Sequence, residues 1–381
     1  MQLIHKCHKT VKKAGILLSL TAIFFQGCQV KPENSAKAES ADSSPLNVIF
    51  MIGDGMATGQ VTTMFYYKEE PSVFEQFKEI GFINTSSSSN KVTDSAAAGT
   101  AFATGQKSFN RGLGLSPDSL PVPTILTILQ AKGYQTGLVS IGSITHATPA
   151  SFYAKVTDRD MEESIAEQLL EADLDFFAGG GLDFFNKRKD GQDLYQSLVG
   201  QGYQMDSVGM SRVTDTSRKY GYLLAPNGLP AKHKGRDSFL KEATEQALAK
   251  LSASDSGFFL MVEGSYIDWA GHARDKEFML AEMLDFEEAL AVALKYVDTH
   301  ENTLLIVTGD HETGGMSVGK GAQIDQVDLY FNTDQHTADL VPVFAIGRAA
   351  DSFKGFYQNS DIFHKILKAA GIQNDKIELV K

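Results

Sequence analysis

Short apolar runs, each followed by polar residues, recur along the chain. They cover residues 46–52, 135–140, 258–262, 303–308 and 342–347. Runs of this length are typical of buried β-strands. Stretches with helical character lie between them, including residues 238–253 and 276–300. This alternation predicts an α/β fold of three layers, with a mainly parallel central sheet and helices on both faces.

The stretch from Val92 to Ala101 predicts the start of a helix rich in small residues. Thr93 or Asp94 can cap this helix, which places Ser95 in its first turn. Free backbone amides and the helix dipole favour an anion there, so Ser95 is a candidate phosphate-binding group or nucleophile. Taken alone, the stretch also fits an ordinary capped, alanine-rich helix.

Acids and histidines lie next to several of the predicted strands. Those that follow a strand are Asp54, Glu263, Asp268, His272, Asp310 and His311, whereas His336 precedes the strand at 342–347. Ligands of open α/β sheets bind at the carboxyl ends of the strands, so we expect these side chains to share one site. Each fragment also has a simpler explanation: Asp268 and His272 have the spacing of a surface pair on a helix, and His336 fits a core histidine.

Net charge and cysteine content limit which partners and which metal ligands the protein can have. The chain has 381 residues with a net charge of −12, which argues against a nucleic-acid-binding protein. Bound metal ions can supply the positive charge that an anionic substrate needs. The only cysteines are Cys7 and Cys28, and both precede the predicted domain. Any zinc would therefore be held by histidine and carboxylate ligands.

The N-terminal segment has the pattern of an export signal. Lysines precede the apolar run of residues 16–25, which is short for a membrane span. Cys28 follows closely, and the pattern resembles a bacterial lipoprotein signal in which this cysteine is lipidated; cleavage by ordinary signal peptidase is the alternative. We therefore expect a signal peptide over residues 1–27, a disordered tether over 28–45 and one catalytic domain over 46–381.

One part of that predicted domain lacks a clear pattern. Residues 184–234 are polar and irregular in sequence. They predict loops or a small excursion over the site.

Motifs along the whole predicted domain resemble those of the alkaline phosphatase family. They are Gly53-Asp54-Gly55, Thr93-Asp94-Ser95-Ala96-Ala97, His146-Ala147-Thr148-Pro149, Arg159, Glu263 to Asp268 with His272, Asp310-His311 and His336-Thr337. The resemblance implies a phosphomonoesterase in which Ser95 is the nucleophile and forms a phosphoserine. It also implies that Arg159 binds the phosphate and that Asp94 orients this arginine.

The same resemblance implies two zinc ions and one magnesium ion. The implied ligands are Asp268, His272 and His336 for one zinc, Asp54, Asp310 and His311 for the other, and Asp54, Thr148 and Glu263 for magnesium. Imidazole and carboxylate suit catalytic zinc, and oxygen ligands suit magnesium. From the signal pattern we expect an exported bacterial enzyme, periplasmic or anchored to the outer membrane, or alternatively secreted. By resemblance we also expect it to form homodimers and to release inorganic phosphate from small monoesters.

Two positions depart from the most familiar bacterial pattern. His146 stands where many members carry an aspartate near magnesium, and Trp269 stands where some carry a lysine. The first change predicts weak magnesium binding with zinc as a competitor. Trp269 either blocks a water-mediated phosphate contact or is a packing residue.

Other functions remain open at this point. A sulfatase would need a C/S-x-P-S-R motif, whereas alanines follow Ser95. A phosphodiesterase or phosphomutase of the same superfamily is a second possibility, although a diesterase would not need Arg159 or the magnesium site. A third is a non-catalytic lipoprotein that binds phosphate or metal, which would be expected to have lost the nucleophile or a zinc ligand.

Overall fold

A ten-stranded sheet forms the centre of the structure, a computed structural model that describes residues 44–372. The predicted signal peptide and Cys28 lie outside the described residues. From Ser44 onward the described residues pack as one unit. None of the described helices is both long enough and apolar enough to span a membrane.

Fourteen strands lie within the described residues. They are β1 (Asn47–Gly53), β2 (Glu79–Asn84), β3 (Gln135–Ser143), β4 (Phe176–Gly180), β5 (Tyr203–Asp206), β6 (Lys219–Leu223), β7 (Phe258–Gly264), β8 (Thr303–Gly309), β9 (Glu312–Thr313), β10 (Met316–Lys320), β11 (Val327–Phe331), β12 (His336–Thr337), β13 (Val341–Gly347) and β14 (Gly355–Gln358). The main sheet has the order β14-β2-β13-β8-β1-β7-β3-β4-β6-β5, while β10 pairs with β11 and β9 with β12.

Eleven α-helices connect these strands in the same range. They are α1 (Thr58–Tyr66), α2 (Ser95–Thr104), α3 (Ile125–Gln130), α4 (Ala147–Ala150), α5 (Glu162–Glu171), α6 (Asp183–Asn186), α7 (Leu194–Gly200), α8 (Phe239–Leu251), α9 (Tyr266–Ala273), α10 (Lys276–Thr299) and α11 (Asp361–Ala369). Three short 3₁₀ segments cover Val73–Gln76, Lys232–Lys234 and Ala350–Phe353.

Two hydrophobic cores lie on opposite faces of the sheet. Successive residues of a strand point to opposite faces, and β1 shows this directly. Val48 and Phe50 belong to the core under α2, α3, α5 and α11, whereas Ile49 and Met51 belong to the core under α1, α8, α9 and α10. The three-layer α/β fold is therefore confirmed.

The central strands bring their carboxyl ends to one edge in register. Strand β1 pairs in parallel with β7 and β8, and Gly53 lies opposite both Gly264 and Gly309. The predicted strand at 342–347 is β13, which runs antiparallel to β8. Because of that direction, the residues that precede β13, including His336, lie at the same edge as the residues that follow β8.

The prediction for residues 184–234 was wrong in one respect. This part of the chain contains α7 and the strands β5 and β6, which extend the main sheet at the end remote from β14. Strand β6 pairs in parallel with β4, and Tyr220 and Tyr222 on it are fully buried. The polar residues between these elements obscured them in the sequence.

Candidate active site

Three side chains at the ends of β1 and β8 form a buried cluster, here called the inner group: Asp54, Asp310 and His311. All three are fully buried. His311 Nε2 lies 3.5 Å from Asp54 Oδ1 and 3.3 Å from Asp310 Oδ2. Candidate ligand atoms of the three residues lie within 4.8 Å of one another, which is close enough to share one ion.

A glycine turn shapes the inner group. Gly55 has a φ of +74°, and a Cβ there would lie 2.7 Å from Asp268 Cα and 2.8 Å from Thr313 Oγ1. Only glycine permits both this conformation and this close approach. Its amide donates a hydrogen bond of 3.0 Å to Asp310 Oδ1. The turn therefore joins the two strand ends that carry the inner group.

The outer group consists of Asp268, His272 and His336. Asp268 and His272 lie one turn apart on α9, and His336 lies on the two-residue strand β12. Asp268 Oδ1 is 3.3 Å from His272 Nε2 and 3.4 Å from His336 Nε2. The two Nε2 atoms are 3.1 Å apart. A single ion between these three side chains would be within reach of all of them.

Backbone carbonyl groups orient the two outer histidines. His272 Nδ1 donates to the carbonyl of Asp334 at 2.6 Å, and His336 Nδ1 donates to that of Thr93 at 3.0 Å. Each ring therefore directs its other nitrogen into the site. Histidine ligands of metal ions in proteins are held in the same way.

A third group lies beside the inner one and shares Asp54 with it. Its other members are Glu263, at the end of β7, and His146, which precedes α4. Thr148, predicted as a magnesium ligand, is fully buried on α4. Ser140 donates a hydrogen bond of 2.6 Å to Glu263 Oε2. The structure thus places His146, which was predicted to lie near magnesium, together with two of the predicted magnesium ligands, Asp54 and Glu263.

Several buried oxygen atoms in these groups lack a hydrogen-bond partner among the described residues. They are Oδ2 of Asp54 and of Asp310, Oε1 of Glu263 and Oγ1 of Thr148. Burial raises the pKa of Asp54, assisted by the charge of Asp310, and it raises the pKa of Asp310 to about 7. Unpaired buried carboxylates are costly unless a cation neutralises them. The set of donors therefore fits divalent metal ions.

Ser95 is the first residue of α2 and lies against the inner group. Its Oγ is 3.3 Å from His311 Nε2 and 3.5 Å from Asp54 Oδ1. Of the two predicted caps, Asp94 is the one observed: its Oδ1 accepts a hydrogen bond of 3.0 Å from Ala97 N. The positive end of the helix therefore points towards this hydroxyl.

Arg159 and Trp269 both lie near His146, a member of the third group. Arg159 Nη1 is 3.4 Å from Asp94 Oδ2, and its Nη2 is 3.1 Å from His146 Nε2. Burial, helped by the charge of Arg159, lowers the pKa of His146 to about 3, so this imidazole is neutral. Trp269 is 44% exposed and stacks on Tyr266, with 4.3 Å between ring centroids. Its ring is also 6.4 Å from that of His146.

A family model described as alkaline phosphatase matches residues 46–328. The chain belongs to the alkaline phosphatase family. The resemblance inferred from the motifs is therefore confirmed. Alkaline phosphatases are phosphoric monoester hydrolases, so the protein is an enzyme of this class.

Named relatives of this family align with most of the chain. Alkaline phosphatase 4 of Bacillus subtilis is 35% identical over 323 residues, which cover 80% of this chain and 69% of the relative. The structure of the alkaline phosphatase from the Antarctic bacterium TAB5 has a TM-score of 0.83 and 44% identity, and the match covers 87% of this chain and 99% of that one. A TAB5 variant with one histidine changed to glutamate has magnesium bound in its M3 site.

Two residues that lie beside the candidate metal ligands were not predicted as site residues. The hydroxyl of Thr313 donates to Asp268 Oδ1 and lies 3.2 Å from His311 Nδ1, so it connects the outer and inner groups. Glu312 is buried and accepts a 2.6 Å hydrogen bond from Thr337 Oγ1, next to His336. Their position directly after His311 was the only signal in the sequence.

Proposed function

We propose that the enzyme hydrolyses phosphate monoesters through a phosphoserine formed on Ser95. The observation that supports this most is the position of the Ser95 hydroxyl, between the inner group and the helix end capped by Asp94. A serine in this place meets both requirements of a nucleophile. Its ionised form is favoured by the helix dipole, and acids and imidazoles that can hold a cation lie beside it.

The reaction then has two displacements at phosphorus. In the first, Ser95 Oγ attacks, the Oγ–P bond forms, and the bond from phosphorus to the ester oxygen breaks with loss of the alcohol. In the second, water attacks the phosphoserine, the Oγ–P bond breaks, and inorganic phosphate leaves. Ser95 ends the cycle as a free hydroxyl, so the enzyme is regenerated.

Two zinc ions and one magnesium ion are the cofactors that we propose. The outer group, Asp268 with two histidines, would hold one zinc, and the inner group would hold the other. Two such cations supply positive charge for the entering and leaving oxygens of an in-line displacement. The histidine nitrogens that face each group, together with the unpaired carboxylate oxygens, support this assignment.

Magnesium would occupy the third group. Asp54, Thr148 and Glu263 would each offer it an oxygen atom, and each has a buried oxygen without a hydrogen-bond partner within residues 44–372. His146 adds a neutral imidazole next to them. Because the TAB5 variant with magnesium in M3 has a histidine replaced by a carboxylate, we take His146 as the counterpart of that histidine.

Arg159 is the phosphate-binding residue in this proposal. Its guanidinium presents a planar fork that matches two phosphate oxygens. Asp94 would hold this fork in place, since it contacts Arg159 Nη1 while also capping the helix of Ser95. A monoester has one more terminal phosphate oxygen than a diester, because the second ester bond of a diester uses one of these oxygens. The fork should therefore bind monoesters more strongly.

We also propose that the enzyme is exported, anchored through lipidated Cys28 in the periplasm or outer membrane, and homodimeric. The lysine-rich and apolar pattern before Cys28 supports the first two statements. Partition of full-length protein and a Cys28→Ala variant between detergent and aqueous phases tests the anchor. Entry of the wild type into the aqueous phase alone would contradict it.

Sedimentation equilibrium tests the dimer, and a monomer at all protein concentrations would contradict it.

Hydrolysis of p-nitrophenyl phosphate beside bis(p-nitrophenyl) phosphate tests the main proposal. We expect the monoester to be preferred, and Ser95→Ala to lose at least about 10³-fold in kcat while it still binds zinc. Ser197→Ala, which removes an exposed hydroxyl on α7, is the matched control and should keep full activity. Preference for the diester would favour a phosphodiesterase, and binding of phosphate without turnover would favour a binding protein.

A further inference from the structure

Arg111 has a backbone conformation that residues other than glycine rarely adopt. Its φ is +75°, in the left-handed region, although it is not a glycine. Such a conformation persists only where surrounding contacts hold it. The hydrogen bonds and ion pairs of Arg111 therefore indicate which part of the molecule depends on this conformation.

Both backbone groups of Arg111 contact the phosphate-binding side of the site. Its amide donates a hydrogen bond of 3.0 Å to Asp94 Oδ2, the same oxygen that lies 3.4 Å from Arg159 Nη1. Its carbonyl accepts a hydrogen bond of 2.9 Å from Arg159 N. One residue thus ties the backbone of Arg159 to the carboxylate that contacts the Arg159 side chain.

The side chain of Arg111 binds the two aspartates on either side of Arg159. Its Nε is 3.0 Å from Asp158 Oδ2 and its Nη2 is 2.8 Å from Asp158 Oδ1, a bidentate pair. Nη2 also contacts Asp160 Oδ2. Hydrogen bonds from Arg111 lower the pKa of Asp158 to about 2, so this carboxylate is ionised. The charge of Arg159 adds to this lowering, so Asp158 lies near enough to interact with Arg159 as well.

We propose that Arg111 is a positioning residue for Arg159: it fixes the turn over residues 158–160 and keeps the flanking carboxylates from occupying the guanidinium that binds phosphate. This rests on the proposed role of Arg159 as the phosphate-binding residue. Arg111 does not need to touch substrate. Its effect should therefore appear in phosphate affinity and not in the chemistry at Ser95.

Arg111→Gly is the first variant, because glycine accepts the left-handed backbone, so the whole side chain is removed while the two backbone hydrogen bonds can remain. We expect the inhibition constant for inorganic phosphate and the KM for p-nitrophenyl phosphate to rise about two- to tenfold. The KM for bis(p-nitrophenyl) phosphate should change less. Arg111→Ala should give the same kinetic change with a lower Tm, since alanine is strained at this φ.

Asp158→Asn breaks the same pair from the other side but also removes one competing carboxylate, so it reports on the fixed turn alone, and it keeps that part of the proposal testable if Arg111→Gly fails to fold. The two changes should be less than additive in the double variant, because both remove the Arg111–Asp158 pair, while Arg111→Gly also removes the contact with Asp160. Lys354→Ala is the matched control. It removes an exposed ion pair, with Glu79 at 2.8 Å, and should leave the phosphate inhibition constant unchanged.

Arg159→Ala in the same series separates the two proposals. If it leaves phosphate inhibition unchanged, the proposed role of Arg159 is wrong. If it weakens phosphate binding while Arg111→Gly and Asp158→Asn behave like Lys354→Ala, only the positioning role of Arg111 is overturned. We expect Arg159→Ala to have the largest effect, followed by Arg111→Gly and Asp158→Asn.

Discussion

The inner and outer groups use the same ligand types but are supported by different parts of the fold. The inner group follows β1 and β8, two adjacent strands at the centre of the sheet, and is fully buried. The outer group lies on α9 and on a two-residue strand, and the His272 side chain is 38% exposed. One group belongs to the core of the fold, and the other is assembled near the surface.

This difference indicates different dependence on a cation. In the inner group, burial opposes the charge on Asp54 and Asp310 and raises the pKa of both. In the outer group, hydrogen bonds from the two histidines outweigh the effect of burial and lower the pKa of Asp268. The inner acids therefore need an external cation more, whereas the outer acid already has partners in the protein.

Removal of metal should have the largest effect and should separate the two groups. We expect a chelator to abolish activity and to release zinc in two phases, the faster one from the outer group, where the His272 side chain is exposed. Only the second phase should lower the Tm, because it leaves buried carboxylates without a counter-ion. Zinc release with a colorimetric indicator, followed beside thermal melting, measures both. Full activity in protein shown by elemental analysis to be free of zinc would contradict the account.

Single ligand changes sharpen the same comparison. Asp310→Asn should weaken zinc binding more than about 100-fold, and His272→Gln about 10–100-fold, since water can enter the exposed position. Competition with a chelator of known affinity gives both values. Asp339→Asn, an exposed acid that is not a ligand, is the control. Equal losses in the two ligand variants would mean that burial does not distinguish the groups.

Arg159→Ala tests whether phosphate binds between the two groups and Arg159. A charge-assisted contact of this kind contributes about 1.5–3 kcal/mol, so kcat/KM for a monoester should fall about 10–150-fold. The loss for a diester should be smaller, because it has fewer terminal oxygens. Steady-state kinetics on the two p-nitrophenyl esters measures the ratio, and equal losses would remove Arg159 from its proposed role.

His146→Asp should give the smallest effect and concerns the third group, which shares Asp54 with the inner one. An aspartate adds the charge and the hard oxygen that magnesium prefers, so the midpoint for magnesium activation should fall about tenfold. Excess zinc should inhibit the wild type, because it competes with magnesium for the third group. The test is a magnesium titration of stripped enzyme that has been reloaded with stoichiometric zinc. Coincident midpoints would show that His146 does not influence magnesium.

The central strands could be predicted because they are buried on both faces. A parallel strand under two helical layers appears as a continuous apolar run, as in β1, β7 and β8. Strands β5 and β6 lie at the end of the sheet among polar connections, so residues 184–234 lacked this signal. Strand β13 runs antiparallel to β8, and this direction explains how His336 reaches the site. It depends on pairing between distant strands, which the local sequence pattern does not reveal.

Candidate ligands were easier to predict than the residues that orient them. Metal ligands are limited to a few residue types at strand ends, and the family motifs name them. Thr313 and Arg111 act through hydrogen bonds whose existence depends on turn geometry and on a positive φ. A threonine or an arginine in a loop has too many other roles for sequence alone to assign these contacts.

Covalent trapping of the intermediate tests the central claim most directly. Wild-type enzyme loaded with zinc and magnesium is mixed with labelled inorganic phosphate, quenched in acid, digested and mapped by mass spectrometry. The account predicts one stable label, on Ser95, and none in Ser95→Ala. A label on any other residue, or full turnover with no covalent phosphate under these conditions, would contradict it.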